Sequence, residues 1–346
     1  MTVINAIRFN PYAGAMVCDE QMTYGDFSRK IDNADKIQSV VEPHIEADEK
    51  IHVCLGASGT SAIGDELKNR LRERIAKRYK QYRERSLSRE KPFMSLDDIS
   101  QLAFAIVVEI KKRYCESMVE ANYNFTINQF IDGSYAAQDK TFDIKQKEIV
   151  DQVFETITWS KRSSQARFVF LNRSILAGIG ADGLFHIYSL SMIDGSVKKV
   201  QSIFHSIGSG QDTSDLVFSQ FTMNKTLKQR RSNIDPADGL LTIISATNSA
   251  CTNNVGVGGY FNIVLFDGQQ KSAGKRRQEV SDCRAKLASE IASAYQFEFI
   301  PRKKAISLLN SLLLQGKDFH QVEQQLFASA SDKESLARIL RGYKKD

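Results

Sequence analysis

Over the first twenty residues, apolar positions come in short strand-like runs. Ala6-Ile7-Arg8-Phe9 and Ala15-Met16-Val17-Cys18 flank Asn10-Pro11-Tyr12-Ala13-Gly14. Asn, Pro and Gly supply turn chemistry, so the chain is expected to open on a hairpin whose first strand starts near Val3. A further apolar run, Ile51-His52-Val53-Cys54-Leu55, stops at Gly56-Ala57-Ser58-Gly59. Ser61 to Arg85 then reads as a charged amphipathic helix. Ser95 with Asp98 forms a capping-box signature ahead of Ile99 to Met118, where Ile99, Leu102, Ala103, Ile106, Val107 and Ile110 recur at helical spacing.

From residue 120 to 166 the pattern weakens, apart from a turn at Gly133-Ser134 and a helical stretch over Ile149 to Ile157, and this region reads as an insertion. Strand signals return at Phe168-Val169-Phe170, Ser174 to Ala177 and Leu184 to Leu190. Gly180-Ala181-Asp182-Gly183 and Asp194-Gly195 supply turns of a meander. Helical segments over Thr213 to Phe221 and Pro236 to Ala250 precede a strand at Tyr260 to Phe266. After Gly268 come helices over Glu279 to Tyr295, Arg302 to Leu314 and Lys333 to Arg341, separated by Pro301 and Gly316. Strands and helices arriving in blocks favour stacked sheets with helices outside.

Composition adds three constraints. The 346 residues, 42% of them hydrophobic, can bury a sizeable core. The net charge of +6 is concentrated in residues 271–346, where fifteen Lys and Arg face nine Asp and Glu. That stretch lacks the interleaved aromatics of single-strand binding surfaces, which argues against nucleic acid. The five cysteines form no C-x-x-C pair, and the five histidines show no metal-ligand spacing, so neither a disulfide framework nor a bound metal or other cofactor is expected. No basic leader or membrane-length apolar run is present, and a cytoplasmic protein is expected. Gly178-x-Gly180-x-x-Gly183 lies between two strands rather than before a helix, and therefore does not read as a nucleotide site.

The candidate chemistry starts at Thr2. A small residue after Met1 permits methionine removal, which would leave a hydroxyl and a free α-amine on one residue. An α-amine with a reference pKa of about 7.7–8.0 can accept the hydroxyl proton while the oxygen attacks a carbonyl. Asp19-Glu20-Gln21-Met22-Thr23-Tyr24-Gly25-Asp26 follows the hairpin, then Ala34-Asp35-Lys36-Ile37, then the strand that reaches Gly56. Together with Leu176 to Tyr188 and Ile207-Gly208-Ser209-Gly210-Gln211, these segments resemble the proteasome β-subunit family. That family comprises N-terminal-nucleophile (Ntn) hydrolases of the threonine type, here in the bacterial style without a propeptide. The resemblance covers about residues 2–268, interrupted by 120–166, and leaves residues 269–346 as a basic helical extension.

The resemblance implies an α+β fold, a four-layer αββα Ntn-hydrolase sandwich with a helical C-terminal extension. It implies Thr2 as nucleophile and base, Lys36 as the charge that lowers the pKa of the attacking system, and Asp19 as the carboxylate that holds the lysine. It further implies the Gly56 N–H as oxyanion donor and Ser209 beside the threonine amine. Where the family has Asp-x-x-Ser-Gly, this chain has Asn254-Val255-Gly256-Val257-Gly258-Gly259, so Asn254 takes the aspartate position and Val257 the serine position. By the same correspondence Met22, Thr23, Ala34, Cys54 and Ser58 would contact substrate and favour an apolar residue before the cut. The implied function is a threonine endopeptidase that cleaves peptides or unfolded polypeptides inside a homo-oligomeric ring, with an ATP-dependent unfoldase as a possible partner. A scaffold with impaired turnover, and an amidase or peptide ligase using the same acyl-enzyme, are the alternatives.

Overall fold

The computed structural model describes residues 2–24, 29–31, 35–85, 92–137, 140–158 and 171–342. The opening hairpin forms as expected, with β1 (Val3–Arg8) antiparallel to β2 (Ala13–Asp19) and Ile4 opposite Cys18. Its turn is tied by Asn10 Oδ1, which accepts the N–H groups of Tyr12 and Ala13 at 2.8 and 2.9 Å. Short strands β3 (Met22–Tyr24) and β4 (Arg29–Ile31) pair with each other, and β5 (Ile37–Ser39) follows. Helix α1 (Pro43–Glu49), strand β6 (His52–Ser58) and the long helices α2 (Ser61–Arg85) and α3 (Leu96–Tyr123) come next. The capping box at Ser95 and Asp98 is formed.

The stretch that reads as an insertion has structure of its own. Helix α4 (Ile127–Asp132), a hairpin of β7 (Ser134–Ala137) and β8 (Lys140–Asp143), and helix α5 (Lys147–Thr158) gather around Phe125, Val119 and Val153. Phe168-Val169-Phe170 lies outside the described residues. The meander is β9 (Arg173–Ile179), β10 (Phe185–Ser191) and β11 (Ser196–Lys199). A strand that the pattern does not announce, β12 (Phe204–Gly208), then leads into α6 (Gln211–Met223), α7 (Leu227–Ser232) and α8 (Pro236–Asn253). The chain closes with β13 (Phe261–Asp267), β14 (Arg277–Glu279), α9 (Asp282–Gln296), α10 (Arg302–Leu309), α11 (Phe319–Ala328) and α12 (Lys333–Arg341). A π-helical turn over Asn310–Leu314 continues α10.

The strands make two five-stranded antiparallel sheets, ordered β12-β1-β2-β13-β14 and β11-β10-β9-β6-β5. Ile4, Ala6, Met16 and Cys18 from the first sheet share one apolar cluster with Cys54, Ile175, Ala177 and Ile187 from the second. The other face of the second sheet packs on α2 and α3 through Leu55, Leu71, Ile75, Ile106 and Leu176. The other face of the first sheet packs on α6, α8 and the C-terminal helices, with Ile7, Val17, Ile243, Ile291, Leu312 and Leu326 in one cluster. Each such aliphatic side chain contributes roughly 1.5–3 kcal/mol on burial. The stretch after Gly268 therefore covers the first sheet. The fold is mixed α/β, and no helix among the described residues is long and apolar enough to cross a membrane.

Candidate active site

Asp19 ends β2, and its side chain turns back toward the start of β1. Its Oδ1 accepts the backbone N–H of Val3 at 2.8 Å and the Lys36 Nζ at 2.8 Å, while Oδ2 accepts the N–H of Gly258 at 3.1 Å. The carboxylate is fully buried and the lysine is 7% exposed. Lys36 also donates to the Gln21 carbonyl at 2.6 Å, and the Gln21 N–H donates to the Gly258 carbonyl at 2.9 Å. One carboxylate oxygen thus ties the lysine to the amide that joins Thr2 to Val3. Burial is the largest influence on Asp19 and raises its carboxyl above the ordinary value, while Lys36 and the two N–H donors pull it down.

Thr2 stands just ahead of β1. Its backbone N–H donates to Ser209 Oγ at 3.2 Å, and its carbonyl accepts from Ser209 Oγ and from the Gly210 N–H, both at 3.4 Å. Gly208 makes this approach possible. Its φ is +98°, and a Cβ there would lie 2.0 Å from the Thr2 carbonyl oxygen. Thr2, Asp19, Lys36 and Ser209, named separately in the sequence, are therefore brought together.

The remaining candidates are placed otherwise. Gly56 lies inside β6, opposite Ile37 on one side and Ile175 on the other, and a Cβ on it would lie 3.0 Å from Ile4. Strand β6 continues past it to Ser58, so Gly56 lies within the strand rather than at its end. Asn254 ends α8, and its Nδ2 donates to the Ala250 carbonyl at 2.9 Å and to Thr213 Oγ1 at 3.2 Å. Val257 packs with Val3 and Ala250. Of the substrate candidates, Cys54 is buried in the cluster between the sheets, where burial pushes its thiol up to about 12. Ser58 ends β6 and donates to the Arg173 carbonyl at 3.4 Å. Met22 and Thr23 lie on β3, and Ala34 falls outside the described residues.

The sequence reading missed the Gln21 carbonyl and the Gly258 amide, both backbone groups, which residue type does not reveal. The glycines at 256, 258 and 259 were the available signal. A Cβ on Gly258 would meet Gln21 Oε1 at 2.7 Å. Among the described residues, no group of three or more His, Cys, Asp and Glu could hold a metal ion.

No protein-family model matches the chain, and no curated protein matches it. Solved structures do. Anbu, described as an ancestral β-subunit, from Yersinia bercovieri is 11% identical with a TM-score of 0.51, covering 86% of this chain and 96% of that one. A Gly-1 mutant of Anbu from Hyphomicrobium sp. strain MC1 is 12% identical with a TM-score of 0.51, covering 86% and 97%. The likeness is one of fold. At the coarse level that fold is proteasome-like. Assignment of the chain to the threonine-type proteasome β-subunit family of Ntn hydrolases is corrected by these findings, because the structural neighbours are Anbu proteins and no family model or curated protein supports membership.

Proposed function

We propose that this chain is a peptidase that works through an acyl-enzyme on Thr2, on a scaffold whose two sheets and flanking helices form a four-layer αββα arrangement. The observation that carries this reading is the buried Asp19–Lys36 pair. Two charges taken out of water cost several kcal/mol each, and a well-packed apolar pair would fill the same space without that cost. Here the pair is fastened by one oxygen to the Thr2–Val3 amide. Once whatever precedes Thr2 is removed, its α-amine takes the hydroxyl proton, Oγ attacks the substrate carbonyl, and the amine passes that proton to the departing amine. Water then attacks the ester and returns Thr2. Ser209 holds the amine, and the cation of Lys36 disfavours a second positive charge there.

The same reading takes residues 2–268 as the catalytic unit, 269–346 as its helical extension, and a homo-oligomeric ring as its assembly. Peptides or unfolded polypeptides are the substrates, and an unfoldase is a fitting partner. All five cysteines are free, which suits a reducing compartment such as the cytoplasm. One observation favours a scaffold without turnover: the Asn254 amide donates to Thr213 of α6, and Val257, packed on Val3, has no polar side-chain group to offer the amine.

The test is N-terminal sequencing of the mature protein with hydrolysis of fluorogenic peptides by wild type and Thr2→Ala. The expected result is a chain that begins at Thr2 and a loss of at least about a thousandfold in the variant. Equal hydrolysis by the two proteins, or a residue retained ahead of Thr2 in the active protein, would overturn the reading.

A further inference from the structure

Beside Thr2 stands a cation that the chemistry above leaves unused. Arg173 opens β9 opposite Ser58, the last residue of β6, so it lies at the end of the second sheet that faces the start of β1. Its guanidinium reaches across to the first sheet's side, where Nη1 donates to Gln211 Oε1 at 3.1 Å. Gln211 follows Ser209 and Gly210, the two residues that hold the Thr2 backbone. The amide of Gln211 is fixed in direction, because its Nε2 donates to Asp215 Oδ2 at 3.2 Å and leaves only Oε1 for the arginine. Arg173 is exposed and has no carboxylate within 4.0 Å among the described residues. His205, half-buried and bonded to Ser189 Oγ at 2.8 Å, feels Arg173 and Asp215 with opposite signs. Lys36 is occupied by Asp19, so of these two cations Arg173 is the one with donors to spare.

A guanidinium has five N–H donors in a planar fork that matches a carboxylate, and one neutral amide uses a single donor. The Gln211 bridge holds the fork in place and leaves the rest of it open to solvent. We infer that Arg173 is a specificity-determining residue that binds a carboxylate of the substrate as it lies across Thr2. This extends the proposed peptidase function by naming a substrate class: peptides with an acidic side chain near the cut, or with a free C-terminal carboxylate close to it.

The test separates this inference from the activity by measuring binding on the full chain carrying Thr2→Ala, which cannot turn substrate over. Three peptides of one sequence are compared: one with Glu before the scissile bond, one with Gln there, and one with Gln there and an amidated C-terminus. Binding tighter by about fivefold for a carboxylate-bearing peptide is the scale of one exposed charge-assisted pair. That preference should vanish in Thr2→Ala with Arg173→Gln and shrink at high salt. Preference for Glu over Gln identifies a side-chain carboxylate, and preference for the free over the amidated terminus identifies the C-terminal one. Equal binding of all three peptides, or a preference that survives Arg173→Gln, overturns the inference whether or not the wild type hydrolyses peptides.

Discussion

Two carboxylates in this molecule are each gripped by cations, and they do different things. Asp238, in the first turn of α8, accepts from Lys225 Nζ and from Arg302 Nη2, both at 2.6 Å. It stitches the C-terminal stretch to α6 and α8 around a cavity of about 710 Å³. Its partners keep water within reach, with the Lys225 side chain 19% and the Arg302 side chain 42% exposed. Both cations also lie over the Phe221 ring. Asp19 has a single cation and two backbone N–H donors; the carboxylate is fully buried and the lysine nearly so, at 7% exposure. The first arrangement is a fastening, and losing one partner leaves hydrated charges behind. The second has no fallback, because each member is buried with groups that need it.

The largest expected effect follows from that contrast. Asp19→Ala strands a buried ammonium and should lower stability by about 3–5 kcal/mol in denaturant unfolding. Asp19→Asn combined with Lys36→Met should recover much of the loss in stability and none of the peptide hydrolysis, which would separate the folding cost from the chemistry. Next in size, Asp238→Ala should cost only about 1–2 kcal/mol, since Lys225 and Arg302 can turn to water, and should leave hydrolysis of fluorogenic peptides unchanged. A loss as large as that of Asp19→Ala would erase the distinction between the two carboxylates.

The smallest effect is one of pH. The folded Asp19 carboxyl is raised by burial, so its protonated form is the one folding favours; the stabilisation this gives is complete below the ordinary carboxylate value of about 3.9 and is lost as pH rises through the higher folded value. The proposed chemistry needs the ionised form to hold Lys36. Peptide hydrolysis should therefore show an acid limb above the ordinary Asp range, and a limb at or below about 3.9 would contradict the assignment.

Much of this was readable from the chain, for identifiable reasons. The opening hairpin, α2, and α3 with its Ser95–Asp98 cap are set by local turn, periodicity and capping chemistry. Asp19 and Lys36 were singled out through their place in the segments that resemble proteasome β-subunits, not by residue type alone, and the structure pairs them at 2.8 Å. Strand β12 was not, because Phe204 to Gly208 becomes a strand only by pairing with β1, some two hundred residues away in sequence. Helix α11 was hidden because only Val322, Leu326 and Phe327 of its ten residues are buried, too few to set a clear helical period. The stretch after Gly268 looked separate on charge, yet two of its arginines are tied into the fold: Arg341 pairs with Glu290 and Glu323, and Arg284 donates to the Leu312 carbonyl. Strand β6 runs on to Ser58 rather than stopping at Gly56, which was not legible because a glycine inside a strand and one at its end look alike in sequence.

The three segments that meet on Asp19 have a consequence for timing. Val3, Lys36 and Gly258 reach its two oxygens from the beginning, the first eighth and the last third of the chain. A polypeptide still being synthesised can fold its opening hairpin long before residue 258 has emerged, and for that interval the carboxylate lacks one of its holders. The centre around Thr2 is completed late, when β13 docks beside β2 and the loop ahead of it closes over Asp19. On the function proposed above, a half-made chain would not yet carry a finished cutting site among other nascent polypeptides.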